Sequence, residues 1–296
     1  MEECADRVAI VTGASRGIGK AIALRLAAEG AAVCVTGRSA EPGSHELPGS
    51  LHETVDEITA AGGCAIAVGA DLSDPAFDRS RILRTAEDAF GAGVDILVNN
   101  AAAPRTFAIG FLDMTRELFM QSVDVNDWAA WELGALVARE LRERGSSGWI
   151  VNISSRAAGP KVGPPYPQTQ VGAQALYGAT KAMLDRITTG AAMELYPHGI
   201  AVNALAPEAA VMTENAATLV SLPEAAIEPV EAFAEATLAL CTCDPRSLTG
   251  RVLYSVSLLH ELQRPVRTLD GRQLLDGWQP GQIDPARMKL GYLDQG

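Results

Sequence analysis

The sequence predicts an α/β fold, a doubly wound parallel β-sheet in a single domain with a C-terminal extension. Two observations lead to this prediction. Short runs rich in Val and Ile are apolar throughout instead of alternating with polar residues, which is typical of strands buried on both faces of a parallel sheet. Longer helical patterns separate these runs, and such alternation favours right-handed crossovers between parallel strands. The predicted strands cover residues 7–12, 31–36, 64–70, 94–100, 149–154, 200–206 and 251–255.

The order of elements indicates one domain. The first predicted helix covers residues 17–30 and ends at Gly30, a residue suited to stopping a helix. Segments rich in Pro and Gly interrupt the alternation at 39–50, at 157–175 and beyond about 256. We therefore assign residues 1–255 to the domain and residues 256–296 to an extension that packs on it or on a neighbouring subunit.

Composition limits the classes of partner. The 296 residues are 48% hydrophobic, which is enough for a sizeable core. The net charge of −12 argues against nucleic acid and anionic membranes as main partners. No apolar run approaches the length of a membrane span. We expect no nucleic-acid partner and no membrane partner.

The five cysteines and the N-terminal residues favour a cytoplasmic protein. Cys34 and Cys64 lie inside apolar runs, where we expect small buried side chains. Cys241 and Cys243 form a C-x-C pair without a second cluster, so packing at a helix end is favoured and no metal site is predicted. Scattered cysteines in odd number are typical of reduced thiols. The opening sequence, MEECADRVAI, is charged and does not resemble a signal peptide.

A glycine-rich stretch, TGASRGIG at residues 12–19, follows the first strand directly and opens the first helix. Gly13 permits a tight turn, whereas Gly17 and Gly19 permit close approach of a ligand and close packing of the helix on the sheet. The helix start offers N–H groups and a positive dipole end to a pyrophosphate. Because this turn lies in the first βαβ unit, it predicts a dinucleotide site.

The end of the second strand distinguishes the two nicotinamide dinucleotides. An NAD(H) site places a carboxylate there for the ribose 2′-hydroxyl. This sequence has Gly37 and Arg38 instead, and Arg16 lies within the glycine-rich stretch. Two guanidinium groups provide planar donors for a 2′-phosphate, so we expect NADP(H) in preference to NAD(H). The alternative is that both arginines are solvated surface residues.

Five motifs follow one another along the chain: TGASRGIG, Asp71 in ADLSD, NNAAA at 99–103, NISS at 152–155 and YGATK at 177–181. Their order and spacing resemble those of the short-chain dehydrogenase/reductase family over roughly residues 5–255. The resemblance implies a Rossmann-type domain that transfers hydride between a nicotinamide and a carbonyl or alcohol carbon.

The resemblance implies that Tyr177 is the general acid that protonates the carbonyl oxygen. A free phenol has a pKa of about 10, too high for efficient proton exchange at neutral pH. Lys181 lies one helical turn later, and a unit charge at about 4 Å contributes roughly 4 kcal/mol at an effective dielectric constant near 20. That energy corresponds to about 3 pKa units. A Tyr and a Lys at this spacing also occur by chance on surface helices, so the pair alone does not decide.

The resemblance gives further residues a role. Ser155 would bond the substrate oxygen, with Ser154 less suited. Asn126 would hold a water in a proton relay, its alternative being a helix kink or cap. Asp71 would accept a hydrogen bond from the adenine amino group, and Asn99 would fix the fourth strand. The residues expected to bind the cofactor are Gly13, Ser15, Arg16, Gly17, Ile18, Gly19, Arg38, Asp71, Leu72, Asn99, Ala101, Tyr177, Lys181, Pro207 and Thr213.

Several positions depart from the family pattern. Ala102 and Glu208 stand where the family commonly has Gly. The segment between Ser155 and Tyr177 is longer than usual and contains Tyr166, a rival phenol that has no lysine four residues later.

We expect an NADP(H)-dependent oxidoreductase acting on a ketone or secondary alcohol. A non-catalytic dinucleotide-binding or sensing protein, and a lyase or epimerase, are the alternatives. Segments 157–175 and 209–226 are rich in Ala, Pro, Leu and Val, which favours a mostly apolar substrate such as a lipid, steroid or acyl carbonyl. The resemblance implies a homotetramer or dimer formed through long helices near 115–144 and 175–197.

Overall fold

The computed structural model describes residues 2–103, 109–161, 163–166, 174–211, 213 and 227–278. The α/β prediction is confirmed, and each predicted strand is found with its ends displaced by two residues or fewer. The strands are β1 Val8–Thr12, β2 Ala32–Gly37, β3 Cys64–Gly69, β4 Ile96–Asn99, β5 Gly148–Ile153, β6 Ile200–Ala206, β7 Ala210–Val211, β8 Ile227–Glu228 and β9 Val252–Tyr254. Seven of them form one parallel sheet in the order β3-β2-β1-β4-β5-β6-β9, and β7 pairs with β8.

Helices cover both faces of the sheet. The α-helices of the described residues are α1 Gly17–Ala28, α2 Leu51–Ala60, α3 Ser80–Phe90, α4 Arg116–Val123, α5 Ala129–Arg144, α6 Ala175–Leu195, α7 Val230–Thr242 and α8 Ser255–Glu261. None of them is long and apolar enough to cross a bilayer.

The central strand β1 shows why its sequence is apolar throughout. Ala9 and Val11 pack with side chains of α1, α2 and α7, whereas Val8 and Ile10 pack with those of α3 and α5 on the opposite face. Because both faces are covered, neither set of alternating positions tolerates a polar residue.

The edge strand β3 is an exception to the predicted burial. Cys64 is exposed, although its apolar run predicted a buried side chain. The prediction was wrong because β3 lies at the edge of the sheet, with a neighbouring strand on one side only. Cys34, on the interior strand β2, is buried as expected.

The helical stretch from 116 to 144 contains an irregular turn that the sequence did not indicate. A π-helical turn, Asp124–Trp128, joins α4 to α5. Such turns insert an extra residue per turn and occur often at functional sites. Here the turn carries Asn126 and Asp127, both buried.

The described part of the C-terminal segment packs on the face that holds α1 and α7. Helix α8 follows β9 directly, and Leu258 and Leu259 are fully buried. The guanidinium of Arg264 pairs with Glu235 at 2.6 Å and with Glu3 at 2.7 Å. The division of the chain at residue 255 stays a prediction, and residues 279–296 lie outside the described part.

Candidate active site

The strand order reverses between β1 and β4, and a cleft lies beyond the carboxyl ends of these strands. On one side of β1 the sheet continues through β2 and β3, and on the other through β4, β5 and β6. Ligands of open α/β sheets bind at such a switch point. The glycine-rich turn, residues 13–19, lines this cleft together with residues that follow β2, β3 and β4.

The glycine-rich turn leaves no room for side chains at two of its positions. Gly13 has a φ of +67°, and a Cβ there would lie 2.9 Å from both the Ala101 Cα and the Asn100 Nδ2. A Cβ at Gly19 would collide with the Gly13 carbonyl and the Asn100 amide. Arg16, at the N-cap position of α1, makes no side-chain capping bond, so the first-turn N–H groups keep their capacity for an anion. The turn therefore fits a pyrophosphate.

Two side chains that the sequence analysis did not single out tie β1 to β4. The Thr12 hydroxyl accepts hydrogen bonds from the backbone N–H groups of Asn100 and Ala101, each at 2.9 Å. The Asn100 amide donates to the Thr12 carbonyl at 2.8 Å. Asn100 was within reach of sequence reasoning, because it is the second asparagine of the NNAAA motif.

Asn99, which the sequence analysis placed among the cofactor-binding residues, does not line the cleft. Its amide donates to the Asn152 side chain at 2.9 Å and to the Ala130 carbonyl at 3.3 Å, which connects β4 to β5 and to α5.

Arg38 and Asp71 are exposed in the part of the cleft that follows β2 and β3. Partial burial would raise the pKa of Asp71, but hydrogen bonds from Ser73 and the charge of Arg38 hold it below its usual value. The Asp71 carboxylate accepts from the Ser73 N–H at 2.9 Å and from its hydroxyl at 2.7 Å. It is thus held ionised, in the form that accepts a hydrogen bond.

The Arg16 guanidinium is directed towards the loop between β2 and α2. It donates to the carbonyls of Pro48 at 2.8 Å and of Gly49 at 2.7 Å. The same loop brings His45 and Leu47 to the wall of the cleft. In this arrangement Arg16 holds the loop. Of the two arginines expected to bind a 2′-phosphate, Arg38 is the exposed one.

Most residues predicted to bind the cofactor line this cleft. They are Gly13, Ser15, Arg16, Gly17, Ile18, Gly19, Arg38, Asp71, Leu72, Ala101 and Thr213, together with Ala102. Pro207, Tyr177 and Lys181 do not belong to its wall; Pro207 follows β6 directly, and the other two lie on α6.

The predicted reacting residues come together where β5 ends and α6 begins. Ser155 and Tyr177 share a hydrogen bond. The Lys181 ammonium donates to the Ile153 carbonyl at 2.7 Å and lies 5.9 Å from the centre of the Tyr177 ring. Lys181 is only 2% exposed.

Gly178, directly after Tyr177, allows α6 to approach the turn that follows Ser155. A Cβ at this position would lie 2.5 Å from the Ala157 carbonyl oxygen, within the 3₁₀ turn Arg156–Ala158. The glycine of YGATK therefore sets the distance between the helix that carries the phenol and the strand that carries Ser155.

Burial governs the titration of both groups on α6. It raises the pKa of Tyr177 above its usual value, against the hydrogen bond with Ser155. It lowers the pKa of Lys181 to about 8, against the charges of Asp127 and Asp185. The expected lowering of the phenol pKa is not found in the protein's own residues, because burial outweighs the hydrogen bond with Ser155 and the ammonium is directed to the Ile153 carbonyl.

Asn126 lies beside this group in the π-helical turn. Its side-chain oxygen accepts from the Ala103 N–H at 2.8 Å, and its amide donates to the Thr180 hydroxyl at 3.0 Å. It also lines a small cavity of about 10 Å³, close to the volume that one water needs. Asn126 thus links the segment after β4 to α6. This position is compatible both with a helix-kink residue and with a residue that holds water in a proton relay.

The positions that depart from the family pattern are accommodated. The Glu208 carboxylate is buried and accepts from the Ser257 hydroxyl at 2.8 Å, so a charged side chain at this turn has a partner. Tyr166 is 61% exposed, unlike the half-buried Tyr177. The rest of the insert, residues 167–173, and residues 214–226 of the second expected wall segment lie outside the described residues.

Comparison with known proteins decides the family. The sequence matches the short chain dehydrogenase family over residues 7–222. The chain belongs to the short-chain dehydrogenase/reductase family. One relative of this family is L-rhamnose 1-dehydrogenase (NAD(P)(+)) of Azotobacter vinelandii, 41% identical over 203 residues, which cover 68% of this chain and 72% of that protein. Another is L-xylulose reductase of Bos taurus, 36% identical over 69% of this chain and 71% of that one.

Solved structures of short-chain dehydrogenases share the fold. A 7α-hydroxysteroid dehydrogenase complexed with NADH and 7-oxo glycochenodeoxycholic acid is 29% identical with a TM-score of 0.72, over 85% of this chain and 93% of that one. A hydroxysteroid dehydrogenase from Escherichia coli is 28% identical with a TM-score of 0.70, over 85% of this chain and 95% of that one. As a short-chain dehydrogenase/reductase, the protein is an oxidoreductase that uses a nicotinamide dinucleotide to interconvert a carbonyl and an alcohol.

Proposed function

We propose that the protein transfers a hydride between NADP(H) and a ketone or secondary alcohol of a mostly apolar substrate, with Tyr177 as the general acid and base. The observation that carries this proposal is the grouping of Ser155, Tyr177 and Lys181 at the carboxyl end of β5, with the hydroxyl groups hydrogen-bonded and the lysine buried. A non-catalytic binding protein has no need to bury a cation beside a phenol.

The proposed steps assign one task to each residue. In reduction a bound nicotinamide would supply the hydride for the carbonyl carbon, and Tyr177 gives its phenolic proton to the carbonyl oxygen. The raised pKa of Tyr177 keeps that proton in place until it is needed. Ser155 positions the same oxygen, and the Lys181 charge stabilises the phenolate that remains. Asn126 connects this group to water.

The residues of the cleft fit a dinucleotide with a 2′-phosphate. Gly13 and Gly19 leave space for the pyrophosphate at the start of α1. Asp71 and Leu72 would contact the adenine, and Arg38 the 2′-phosphate. At the end of β2, the position of the carboxylate in an NAD(H) site, this chain presents a cation. Pro207 and Thr213 would lie near the nicotinamide.

Two different classes of substrate are supported by different observations. The Ala-, Pro-, Leu- and Val-rich sequence of segments 157–175 and 209–226 favours an apolar carbonyl compound. The names of the relatives favour a small polyhydroxylated carbonyl or sugar, since they include L-rhamnose 1-dehydrogenase, L-xylulose reductase and D-erythrulose reductase.

The test is a turnover screen with both dinucleotides. The protein is incubated with NADPH or NADH and two matched panels, one of steroid, acyl and alkyl ketones and one of ketoses, and the loss of nicotinamide absorbance is followed. We expect turnover with NADPH and the apolar panel. If ketoses turn over faster than the apolar ketones, the substrate class is sugars and not apolar carbonyl compounds. A kcat/KM for NADH equal to that for NADPH would overturn the NADP(H) preference. Dinucleotide binding without turnover of either panel would favour the binding-protein alternative.

The outer faces of α5 and α6 support a proposed homodimer or tetramer. Trp131 on α5 and Met193 on α6 are 54% and 75% exposed, and small residues, including Gly134 and Ala135, line a groove beside them. An apolar face of this kind is typical of a helix–helix interface. Sedimentation velocity should show a dimer or tetramer, and a monomer at micromolar concentration would contradict the proposal. A cytoplasmic location also stays a prediction, to be tested by cell fractionation.

A further inference from the structure

Lys181 is enclosed by groups from two other elements besides its own helix. Its ammonium donates to the Ile153 carbonyl of β5, and Tyr177 and Asp185 accompany it on α6. The π-helical turn is held against α6 by the Asn126 amide, which donates to the Thr180 hydroxyl next to Lys181 at 3.0 Å, and from this turn Asp127 acts on Lys181 through charge. A buried ammonium without an opposite charge tends to lose its proton, since burial penalises the charged form.

Asp127 is a carboxylate with no evident structural purpose. It is 2% exposed, and neither carboxylate oxygen has a hydrogen-bond partner within the described residues. A buried carboxylate without hydrogen bonds costs several kcal/mol unless a charge compensates it. The charged side chain that acts on it is Lys181.

We propose that Asp127 is a positioning residue that holds Lys181 in its ammonium form beside Tyr177. The inference rests on the proposed role of Tyr177 and Lys181, and extends the site to a residue of the π-helical turn. A charged residue at this place, between Asn126 and Trp128 in a largely apolar stretch, is the sequence signal that could have pointed to it.

Asp185, the second acid near Lys181, differs from Asp127 in its surroundings. Asp185 lies one turn after Lys181 on α6, and burial raises its pKa to about 6, opposed by Ser154 and by the Lys181 charge. The Ser154 hydroxyl acts on the Asp185 carboxyl, although one oxygen of Asp185, Oδ1, also lacks a hydrogen-bond partner. Asp127 has no described partner of that kind, so its charge is compensated by Lys181 alone among the groups described.

The pH range of the effect follows from the two titrations. Burial raises the pKa of Asp127 to about 7, and burial lowers the pKa of Lys181 to about 8. Asp127 therefore becomes negative just below the pH at which Lys181 would begin to lose its proton. Between these values the carboxylate and the ammonium coexist, and the charge beside Tyr177 is retained.

The test is a direct titration of Lys181 by NMR. The chain has four lysines, Lys20, Lys161, Lys181 and Lys289, so the spectrum of protein labelled with ¹³C at the lysine Cε is simple. The Lys181 signal is assigned by its absence in Lys181→Arg. In Asp127→Asn we expect the pKa of Lys181 to fall by about one unit or more. The control is Asp124→Asn in the same π-helical turn, which should leave it unchanged.

A purely structural role predicts other results. Asp127→Asn keeps the side-chain volume, so a purely structural role predicts a changed Tm together with an unchanged Lys181 pKa. A Lys181 pKa equal to the wild-type value in Asp127→Asn overturns the proposal. Should this variant not fold, Asp127→Glu replaces it: a retained Lys181 pKa supports the proposal, and a fall of about one unit contradicts it.

Kinetics separate this proposal from the proposed function. In Asp127→Asn the alkaline fall in kcat/KM should begin about one pH unit earlier than in the wild type, with the KM for NADPH unchanged. The NMR titration needs no turnover. If no carbonyl is reduced but the pKa of Lys181 still falls in Asp127→Asn, the proposed function fails and the charge pairing stands. If carbonyls are reduced but the pKa of Lys181 is the same in Asp127→Asn as in the wild type, the proposed function stands and the charge pairing fails.

Discussion

At the proposed adenosine end of the cleft the charged side chains Arg38 and Asp71 are exposed, whereas at the proposed reacting end Lys181, Asp127 and Asp185 are buried. The pKa of Asp71 lies below its usual value, although its partial burial alone would raise it, because Ser73 and Arg38 favour the ionised form. Burial moves the pKa values of the three buried groups towards neutrality, to about 8, 7 and 6 respectively.

The difference indicates two kinds of task. Solvent screens an exposed charge, so it can be exchanged at little cost to stability, and it serves to select among ligands. A buried charge interacts strongly with its neighbours and titrates near the working pH, which suits proton transfer. Substitutions at the adenosine end should therefore change affinity and cofactor choice, and those at the reacting end should change turnover.

Removing the buried cation should have the largest effect. In Lys181→Met we expect kcat to fall by about 10²- to 10⁴-fold, because Tyr177 loses the charge that stabilises its phenolate. Steady-state rates at saturating NADPH check this. The matched control is Lys20→Met on α1, whose partner Glu57 is exposed, and it should keep its activity. A kcat within about twofold of the wild type in Lys181→Met would contradict the assigned role.

Displacing the phenol without changing its chemistry should have a smaller effect. A methyl group in Gly178→Ala would push α6 away from the Ala157 carbonyl, and we expect a fall in kcat of about 10- to 100-fold. Gly190→Ala on the same helix meets no close backbone atom and should keep both kcat and Tm. Equal kcat values for the two variants would show that the contact at Gly178 does not position Tyr177.

Reversing the exposed charge should alter cofactor choice alone. In Arg38→Asp we expect the preference for NADP(H) over NAD(H), measured as the ratio of kcat/KM values, to fall by about 10- to 100-fold. The loss of a charge-assisted bond to the 2′-phosphate is the reason. Arg81→Asp, an exposed position on α3, is the control. An unchanged ratio in Arg38→Asp would remove the NADP(H) assignment.

The buried acids should also make stability depend on pH, with the smallest effect. Burial raises the pKa values of Asp127 and Glu228 to about 7 and that of Asp185 to about 6. The native state then binds more protons than the unfolded chain between pH 4 and 7, so stability rises as pH falls. Each group with a pKa near 7 contributes about 1 kcal/mol between pH 8 and 6. Calorimetry should show a Tm a few degrees higher at pH 6 than at pH 8, and a lower Tm at pH 6 would contradict these pKa values.

The sequence predicts the fold well because its signals are local and repeated. Strand runs such as 200–206 are apolar on both faces, and Gly13 and Gly19 are required by turns that lie within a few residues of them. The spacing of Tyr177 and Lys181 likewise follows from helical periodicity, and the structure places both beside Ser155.

Features that depend on distant neighbours were not predictable in the same way. Cys64 is exposed because β3 is an edge strand, and the sequence of one strand does not show whether that strand lies at the edge of the sheet. Arg16 is directed to the carbonyls of the following loop, which the sequence does not bring near it. The π-helical turn, and with it the burial of Asp127, depends on the packing of this turn against α6.

The most direct test of the account compares dinucleotide binding with turnover in Tyr177→Phe. The phenylalanine keeps the ring and removes only the hydroxyl group that shares a hydrogen bond with Ser155. We predict that the Kd for NADPH stays within about twofold of the wild-type value while kcat falls by at least about 10²-fold. A Tyr177→Phe variant that reduces its carbonyl substrate at the wild-type rate would contradict the mechanism.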